Sequence, residues 1–449
     1  MFRYREETRS VFLYGRTARA MKVLIVSHPC ATAANQAVFA EIRRMTGWDV
    51  RLVIPSNWKD EFGNALDQKE WPGLEGRVSK VPVFFNGNII LHFYRTAWGA
   101  YLKREAFDVI YMHHEPYALA TGQVCLANSR QNAPAAFGFY SAQNISKSYP
   151  PPFSWIERFV HRSSRFCFPV SRTVAEVLEV KKSQARCTIC PLPVDPSVYY
   201  PREAGAAPIG TKLSPEGATP NSPGQASAPP WVLEKDEPYP EWAASQTRLN
   251  LVPFGAAPFA REPGEAVLGY VGRLVESKGL ATLAKALGKL KDLAWHFHVI
   301  GTGDYRATFE RLLADAGIAG RVTFHGFTPH LQTPEFLSSF DLLVVPSETQ
   351  TNWKEQFGRV IVEAMACGTP VVGSNSGEIP VLIRASSGGM IFPERDAAAL
   401  SDCIRRLIER PELRRQMAES GKKWVGESAT LEVVARKMAG AMEEAARSR

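Results

Sequence analysis

Two carboxylates eight residues apart, Glu355 and Glu363, bracket the stretch EQFGRVIVEAMACGTPVV at 355–372. Between them Phe357–Gly358 opens a helical pattern whose apolar face is Val360, Ile361, Ala364 and Met365. A helix start presents N–H groups without intrahelical partners and the positive end of the helix dipole, which suits a phosphate. An acid beside such a site would compete with that phosphate, so Glu355 is expected to face something else. A sugar hydroxyl, or a sugar carbon developing positive charge, is the fitting partner. Glu363, two turns along, is placed to accept hydrogen bonds from a ribose diol, as acids do in other nucleotide sites. Upstream, GRLVESKG sets Gly272, Arg273, Lys278 and Gly279 after an apolar run. Glycine lets backbone approach a ligand, and two cations five residues apart can flank a diphosphate.

These residues need a frame that brings them together. Short apolar runs alternate with helical periodicity in both halves, which is the βαβ signature of parallel sheets. In the first half the runs are KVLIVS (22–27), VRLVIP (50–55), DVIYMHH (108–114), FGFYSAQ (137–143) and FCFPVS (166–171), with Ser171 as an N-cap for RTVAEVLEV. In the second they are AVLGYVG (266–272), HFHVIG (296–301), VTFHG (322–326), DLLVVPS (341–347) and TPVVGS (369–374), with a helix over 280–290. Between them residues 201–262 are rich in Pro, Ala, Gly and Ser without periodicity, a composition that buries too little apolar surface to order itself. The expected architecture is α/β: two doubly wound Rossmann-like domains, 21–200 and 263–425, facing across a cleft. Residues 1–20 are read as an extension and 426–449 as a C-terminal helix packing back on the first domain. In such folds ligands sit at the carboxyl ends of the strands.

Composition narrows the class. At 449 residues the chain is too long for one ordinary core, and 45% hydrophobic with 22% charged residues is usual for a globular protein. No apolar run of about 18 residues suggests a membrane span, and a cytoplasmic location is expected. The charge of +8 is uneven: residues 1–200 hold 25 Lys and Arg against 16 Asp and Glu, a surplus of nine. A basic half attracts nucleic acid, phosphorylated partners or an anionic membrane face. Seven scattered cysteines form no disulfide framework. The lone CxxC of Cys187 and Cys190, in CTICPLPV, reads as a buried strand with structural thiols. VIGTGDYR (299–306) lacks a third glycine, and no Asp-x-Asp follows a strand, so a metal-bridged diphosphate is not expected.

As a set, GRLVESKG (272–279), VIGTGD (299–304), VTFHGF (322–327), LLVVPS (342–347) and EQFGRVIVEAMACGTPVV (355–372) resemble the retaining GT-B-fold glycosyltransferases of family 4, glycosyl transferases group 1. The Glu355-to-Glu363 spacing is similar to that family's EX7E motif. PLPVDPSVYYP (191–201) resembles the segment ending its first domain, and HHEP (113–116) its His-bearing acceptor-side motif. The resemblance covers residues 21–200 and 263–449. It implies that Arg273 and Lys278 bind the donor diphosphate, with Gly272 beside them. Phe357, Gly358 and Arg359 would offer helix-start backbone to sugar and phosphate. Glu355 would stand at the transferred sugar and Glu363 at the ribose, and His114 would line the reacting centre, with His113 its neighbour. It further implies a UDP- or GDP-linked sugar as donor substrate, no cofactor, no metal and no nucleic acid. The acceptor would be a glycan or lipid-linked molecule of envelope or exopolysaccharide synthesis, met at the inner membrane face. Three departures stand out. SHPCATAANQ (27–36) lacks the paired glycines of many relatives, ETQTNWK (348–354) is a longer loop, and the 201–262 insertion falls at the hinge.

Rival readings are a phosphorylase or a sucrose, glucan or sugar-phosphate synthase on the same fold, and a non-catalytic sugar-nucleotide-binding protein. A dinucleotide oxidoreductase fits less well without a full GxGxxG. LHFYRTAWGAYLKREAF (91–107), basic and aromatic, reads either as a membrane-surface helix or as a core-packed helix before strand 108–114.

Overall fold

The computed structural model describes residues 20–59, 68–201, 258–259, 262–329 and 332–448. The expected extension before residue 20 and almost all of the insertion, residues 202–257, lie outside the described residues.

The first sheet has seven parallel strands in the order β3-β2-β1-β6-β7-β8-β9. They are β1 (Lys22–Val26), β2 (Asp49–Pro55), β3 (Val78–Val81), β6 (Val109–Met112), β7 (Ala136–Ser141), β8 (Phe166–Pro169) and β9 (Arg186–Cys187). A short antiparallel pair, β4 (Val83–Phe84) and β5 (Phe93–Tyr94), stands apart. Among the described residues this half has five α-helices: α1 (Ala37–Thr46), α2 (Trp98–Glu105), α3 (Leu119–Ser129), α4 (Phe153–Ser163) and α5 (Arg172–Val180). The central strands are apolar on both faces because helices cover both, as a parallel sheet requires. Ser171 caps α5, its Oγ accepting from Val174 N.

The second sheet has six parallel strands in the order β12-β11-β10-β13-β14-β15. These are β10 (Ala266–Val271), β11 (Trp295–Ile300), β12 (Val322–Gly326), β13 (Leu342–Val345), β14 (Val371–Ser374) and β15 (Gly389–Phe392). The helices are α6 (Leu280–Leu287), α7 (Arg306–Asp315), α8 (Thr333–Ser339), α9 (Arg359–Ala366), α10 (Ile379–Ser386), α11 (Ala397–Glu409), α12 (Pro411–Ser428) and α13 (Leu431–Arg447).

Each sheet therefore has one place where the chain, having built outward in one direction, returns to build in the other. In the first it lies between β1 and β6, in the second between β10 and β13. Loops leave such neighbouring strands toward opposite faces, which opens a crevice at their carboxyl ends.

The chain crosses back at its end. Val194 bridges to Thr430 in parallel, and Thr430 caps α13 with its side chain. The apolar stripe of α13 (Val434, Ala435, Met438, Ala439, Met442) then packs with Val38, Phe39 and Ile42 of α1 in the first domain's core. A further apolar cluster runs through the seam, joining Val170, Val174 and Tyr199 to Phe357, Ile361 and Met365.

One expectation needs correction, and one open alternative is decided. Cys187 is exposed on the two-residue edge strand β9, so CTICPLPV is not a buried strand; Cys190 is buried, and the Cys187 Sγ lies 2.8 Å from Cys167 Sγ. Within 91–107 only α2 is helical, and Trp98 and Leu102 are buried in the domain core. Its apolar residues are spent on the interior, which is the core-packed alternative.

Candidate functional site

At the β10/β13 crevice, β10 ends at Val271 and is followed by Gly272 and the exposed Arg273, whose carbonyl accepts from Tyr270 OH at 2.7 Å. A single 3-10 turn, Glu276–Lys278, leads into α6 through Gly279. Gly279 has φ +68°, and a Cβ there would stand 1.9 Å from the Pro346 carbonyl oxygen. Only glycine lets this turn lie flat against the end of β13. Glu348 N donates to Ser277 O at 2.8 Å and ties the two loops together.

The consequence is the position of Lys278. Its Nζ lies 2.7 Å from Glu355 Oε2, and the Ser347 hydroxyl donates to the same oxygen at 2.9 Å. The ammonium also stands 4.7 Å from the centre of the Trp353 ring. The two charged side chains are 23% and 13% exposed, so the pair sits at the mouth of the crevice rather than inside the core. The backbone of Glu355 is fixed as well: its carbonyl accepts from Asn144 Nδ2 of the first domain at 2.8 Å and from Glu378 N at 3.1 Å. Lys147 Nζ reaches Asn352 O at 3.2 Å. Glu378, itself buried, extends its carboxylate to the first domain and accepts from Arg172 N and Thr173 N, the opening amides of α5.

Helix α9 begins beside this pair. Phe357 is buried in the seam cluster, and Gly358 at the N-cap has φ +78° with no side-chain cap. Ile361 N donates to Gly358 O at 2.9 Å, so the opening amides of α9 left to whatever enters the crevice are those of Arg359 and Val360. Arg359 is exposed, and its charge reaches Glu363, Tyr199, Tyr140 and His113. Glu363 is almost fully enclosed. Burial pushes its carboxyl up to about 7, with the Arg359 charge and a hydrogen bond from Tyr199 restraining the rise. It forms part of the crevice wall at the domain seam.

The other crevice, between β1 and β6, is built from rings. His113 N donates to Val26 O, its Nδ1 faces Ser27 Oγ at 3.1 Å, and its ring packs edge-on to Tyr140. Burial, then the Arg359 charge, holds His113 down at about 4. His114 points the opposite way and is buried. Its Nδ1 meets His28 Nδ1 at 2.9 Å and its Nε2 faces Tyr94 OH at 3.5 Å. Burial first, then the charges of His28 and His92, holds it well below the usual imidazole range. Glu115 accepts from Ser141 Oγ and Ala142 N, and burial raises its carboxyl to about 7 despite those bonds.

The structure thus brings Lys278, Glu355 and the start of α9 to one crevice mouth, with Gly272 and Arg273 following β10 at the same edge, and Glu363 in the wall behind. His114 stands at the corresponding edge of the first sheet. Residues the sequence reading passed over are Ser347, Trp353, Asn144 and Glu378 near the ion pair, and His28 and His92 around His114. Trp353 lay in the long loop already singled out as unusual, and His28 in the loop noted for lacking glycines. Asn144 and Glu378 carried no local signal, because their partners are about 200 residues away.

Comparisons with known proteins bear on the family and the fold. A family model described as Glycosyltransferase Family 4 matches residues 40–198, and one described as Glycosyl transferases group 1 matches residues 256–424. A 2-deoxystreptamine glucosyltransferase of Streptomyces kanamyceticus is 29% identical over 168 residues, 37% of this chain and 42% of that protein. The lipopolysaccharide core biosynthesis glycosyltransferase LpsE of Rhizobium meliloti is 32% identical over 160 residues, 35% of this chain and 44% of that protein. The matched regions span less than half the length of these relatives. Anabaena HepE, solved in complex with UDP, superposes with a TM-score of 0.64 at 16% identity, covering 94% of this chain and all of that one. It shares the fold.

Proposed function

Because the chain belongs to the GT-B glycosyltransferases of family 4, we propose that it moves a hexose from a nucleoside-diphosphate sugar to a glycan or lipid-linked acceptor, with retention at the anomeric carbon. The observation that carries this reading is the Lys278–Glu355 pair at a switch point, beside Arg273 and an uncapped helix start. That combination offers fixed positive charge for a diphosphate and a carboxylate for a sugar, as the EX7E spacing would require.

In this reading Arg273, Lys278 and the amides at Gly358–Arg359 hold the diphosphate. The bond from the anomeric carbon to the phosphate oxygen breaks, its electron pair stays on the diphosphate, and the fixed donors stabilise that charge as it grows. The acceptor hydroxyl bonds to the carbon on the same face, and its proton passes to the departing phosphate oxygen. Glu355 supports the positive sugar through charge and position. Glu363 holds the ribose, and His114 borders the acceptor. No cofactor is needed, and Lys278 and Arg273 take the place of a diphosphate-bridging metal.

The lipopolysaccharide core biosynthesis relative supports an envelope glycan as acceptor; in this reading the donor is UDP- or GDP-linked and the acceptor is met at the cytoplasmic membrane face. No helix among the described residues is long and apolar enough to cross a membrane. Phe84, Phe85, Ile89 and Ile90 are exposed around the β4–β5 pair, with Arg95 over the Phe84 ring, and would serve a peripheral contact.

The test is the thermal midpoint with UDP, GDP, ADP, CMP, NAD or phosphate added singly, followed by nucleotide release from the matching sugar donor in EDTA. At a hundredfold excess over its dissociation constant a ligand adds about 2.7 kcal/mol to the folded state. A shift with one nucleoside diphosphate, absent in Lys278→Ala, is expected. A shift with NAD alone overturns the reading.

A further inference from the structure

Three histidines from three distant segments converge beside β1 and β6, in the first domain. His28 follows β1, His92 precedes β5 and His114 follows β6. One ring nitrogen from each lies within 4.8 Å of the other two. Ring centroids are 4.7 Å apart for His28 and His114, 5.1 Å for His92 and His114, and 5.4 Å for His28 and His92.

The hydrogen bonds fix what His92 can offer. Its Nδ1 lies 2.9 Å from the Asn88 carbonyl oxygen, which can only accept, so that nitrogen carries the ring proton. The lone pair is then on Nε2. That Nε2 is buried and has no hydrogen-bond partner among the described residues. A buried lone pair without a partner is uncommon in a folded protein and asks for an explanation. His28 and His114 pose a related question, since two like nitrogens face one another at 2.9 Å and share a single proton at most.

We propose that His28, His92 and His114 form a zinc(II) site. A metal at their convergence takes the His92 Nε2 lone pair and replaces the proton shared between His28 and His114. Two of the three ligands then have a second-layer support of the usual kind: Nδ1–H of His92 on a backbone carbonyl, and Tyr94 OH facing Nε2 of His114 at 3.5 Å. Zn–N bonds of about 2.0–2.1 Å place tetrahedral ligand nitrogens about 3.3 Å apart, so the His28 and His114 nitrogens, now 2.9 Å apart, open by about 0.4 Å, and the widest separation, within 4.8 Å, closes by at most about 1.5 Å, within reach of side-chain rotation. The ligand set contains no carboxylate. Neutral imidazoles select zinc, copper or nickel over magnesium, calcium or manganese, which prefer oxygen. This site is therefore separate from diphosphate binding. His28 is only partly buried and leaves the fourth position to water.

The experiment uses full-length protein purified without a polyhistidine tag and treated with chelator. Zinc is titrated in competition with a chromophoric chelator, and cobalt(II) is substituted for its visible tetrahedral bands. One equivalent per chain is expected, with those bands. Loss of outer-layer support alone weakens metal binding about 10–100-fold, so His92→Gln should weaken it by at least about 100-fold. His28→Gln, at the more exposed ligand, carries the test if His92→Gln does not fold, with metal-free thermal midpoints compared for all three proteins. Zinc binding of unchanged strength in a folded variant, or no binding by the parent, overturns the proposal. Neither readout uses donor or acceptor, so failure here leaves the transferase reading standing.

Discussion

The two crevices occupy equivalent places in two similar sheets, yet they are furnished with opposite chemistry. Between β10 and β13 the groups are charged and partly exposed, with the Lys278 ammonium against the Glu355 carboxylate at the mouth. Between β1 and β6 they are rings: His28, His92 and His114 pack against one another and against Trp58 and Tyr94. Depth accounts for much of the contrast. A charge is retained where water still reaches it or a partner is at 2.7 Å, whereas burial without a counter-charge favours the neutral imidazole. Topology supplies the crevice in both cases, and the side chains decide what it can hold.

The contrast breaks most sharply if Lys278 is dispensable. Lys278→Ala leaves the Glu355 carboxylate with only the Ser347 hydroxyl as a hydrogen-bond partner among the described residues and takes a fixed cation from the mouth. Removal of one preorganised donor from a charge-stabilising site typically lowers turnover about 10²–10³-fold. Loss of that order in sugar transfer is expected, with far-UV circular dichroism unchanged because the pair lies at the edge of the core. Residual transfer within threefold of the parent would mean the charged crevice is not the reacting one.

Glu363 sharpens the rule about depth, since it is an acid placed where the charged form is disfavoured. Its carboxyl is near 7 when folded, against an ordinary 4.5. The folded chain therefore holds this proton more tightly, and stability from this residue is fullest below about 4.5 and declines as pH rises to about 7. Glu363→Gln has no such proton to lose. Thermal midpoints of parent and variant should differ little at acid pH and diverge in the variant's favour up to pH 7. The span is at most about 3 to 4 kcal/mol, by the value of one pKa unit. A difference independent of pH would show that Glu363 ionises freely in the fold.

The seam between the crevices gives the next smaller effect. Glu378 reaches from the second domain to the first amides of α5, adding its charge to the Ser171 cap. Glu378→Gln keeps one acceptor and removes the charge from a helix N-terminus, and a loss of about 1 kcal/mol is expected from the dipole term. Urea midpoints measure it. An unchanged midpoint would mean the carboxylate contributes nothing across the seam.

How much of this could be read in the sequence follows the same division. The strand runs, the N-cap at Ser171 and the residues of the second crevice were legible because their signals are local. Lys278 and Gly279 belong to one turn, and Glu355 through Glu363 to one helix entry. β3 and β15 were not read: VSKV carries two exposed polar residues at a sheet edge, and GMIF is a four-residue strand behind Ser-Ser-Gly. The histidine cluster was invisible for another reason. His92 and His114 are 22 residues apart and His28 lies 64 before His92, so no spacing rule links them; only the return of the chain to β6 beside β1 does so. His114 was singled out through its HHEP context, without the two rings that define its surroundings.

Trp353 offers the finest test of the charged crevice. It comes from the loop ETQTNWK, and its ring stands 4.7 Å from the Lys278 ammonium. A cation over an indole face at a partly exposed site gains about 0.5–1 kcal/mol. If the ring serves to hold Lys278 in line with the diphosphate, Trp353→Leu keeps apolar bulk and loses that attraction. Donor KM should then rise about two- to fivefold, with kcat little altered, since 1.4 kcal/mol is a factor of ten. A larger fall in kcat than rise in KM would place the indole against the transferred sugar itself. Unchanged constants would make the contact incidental, and the charged crevice would rest on Lys278, Glu355 and Ser347 alone.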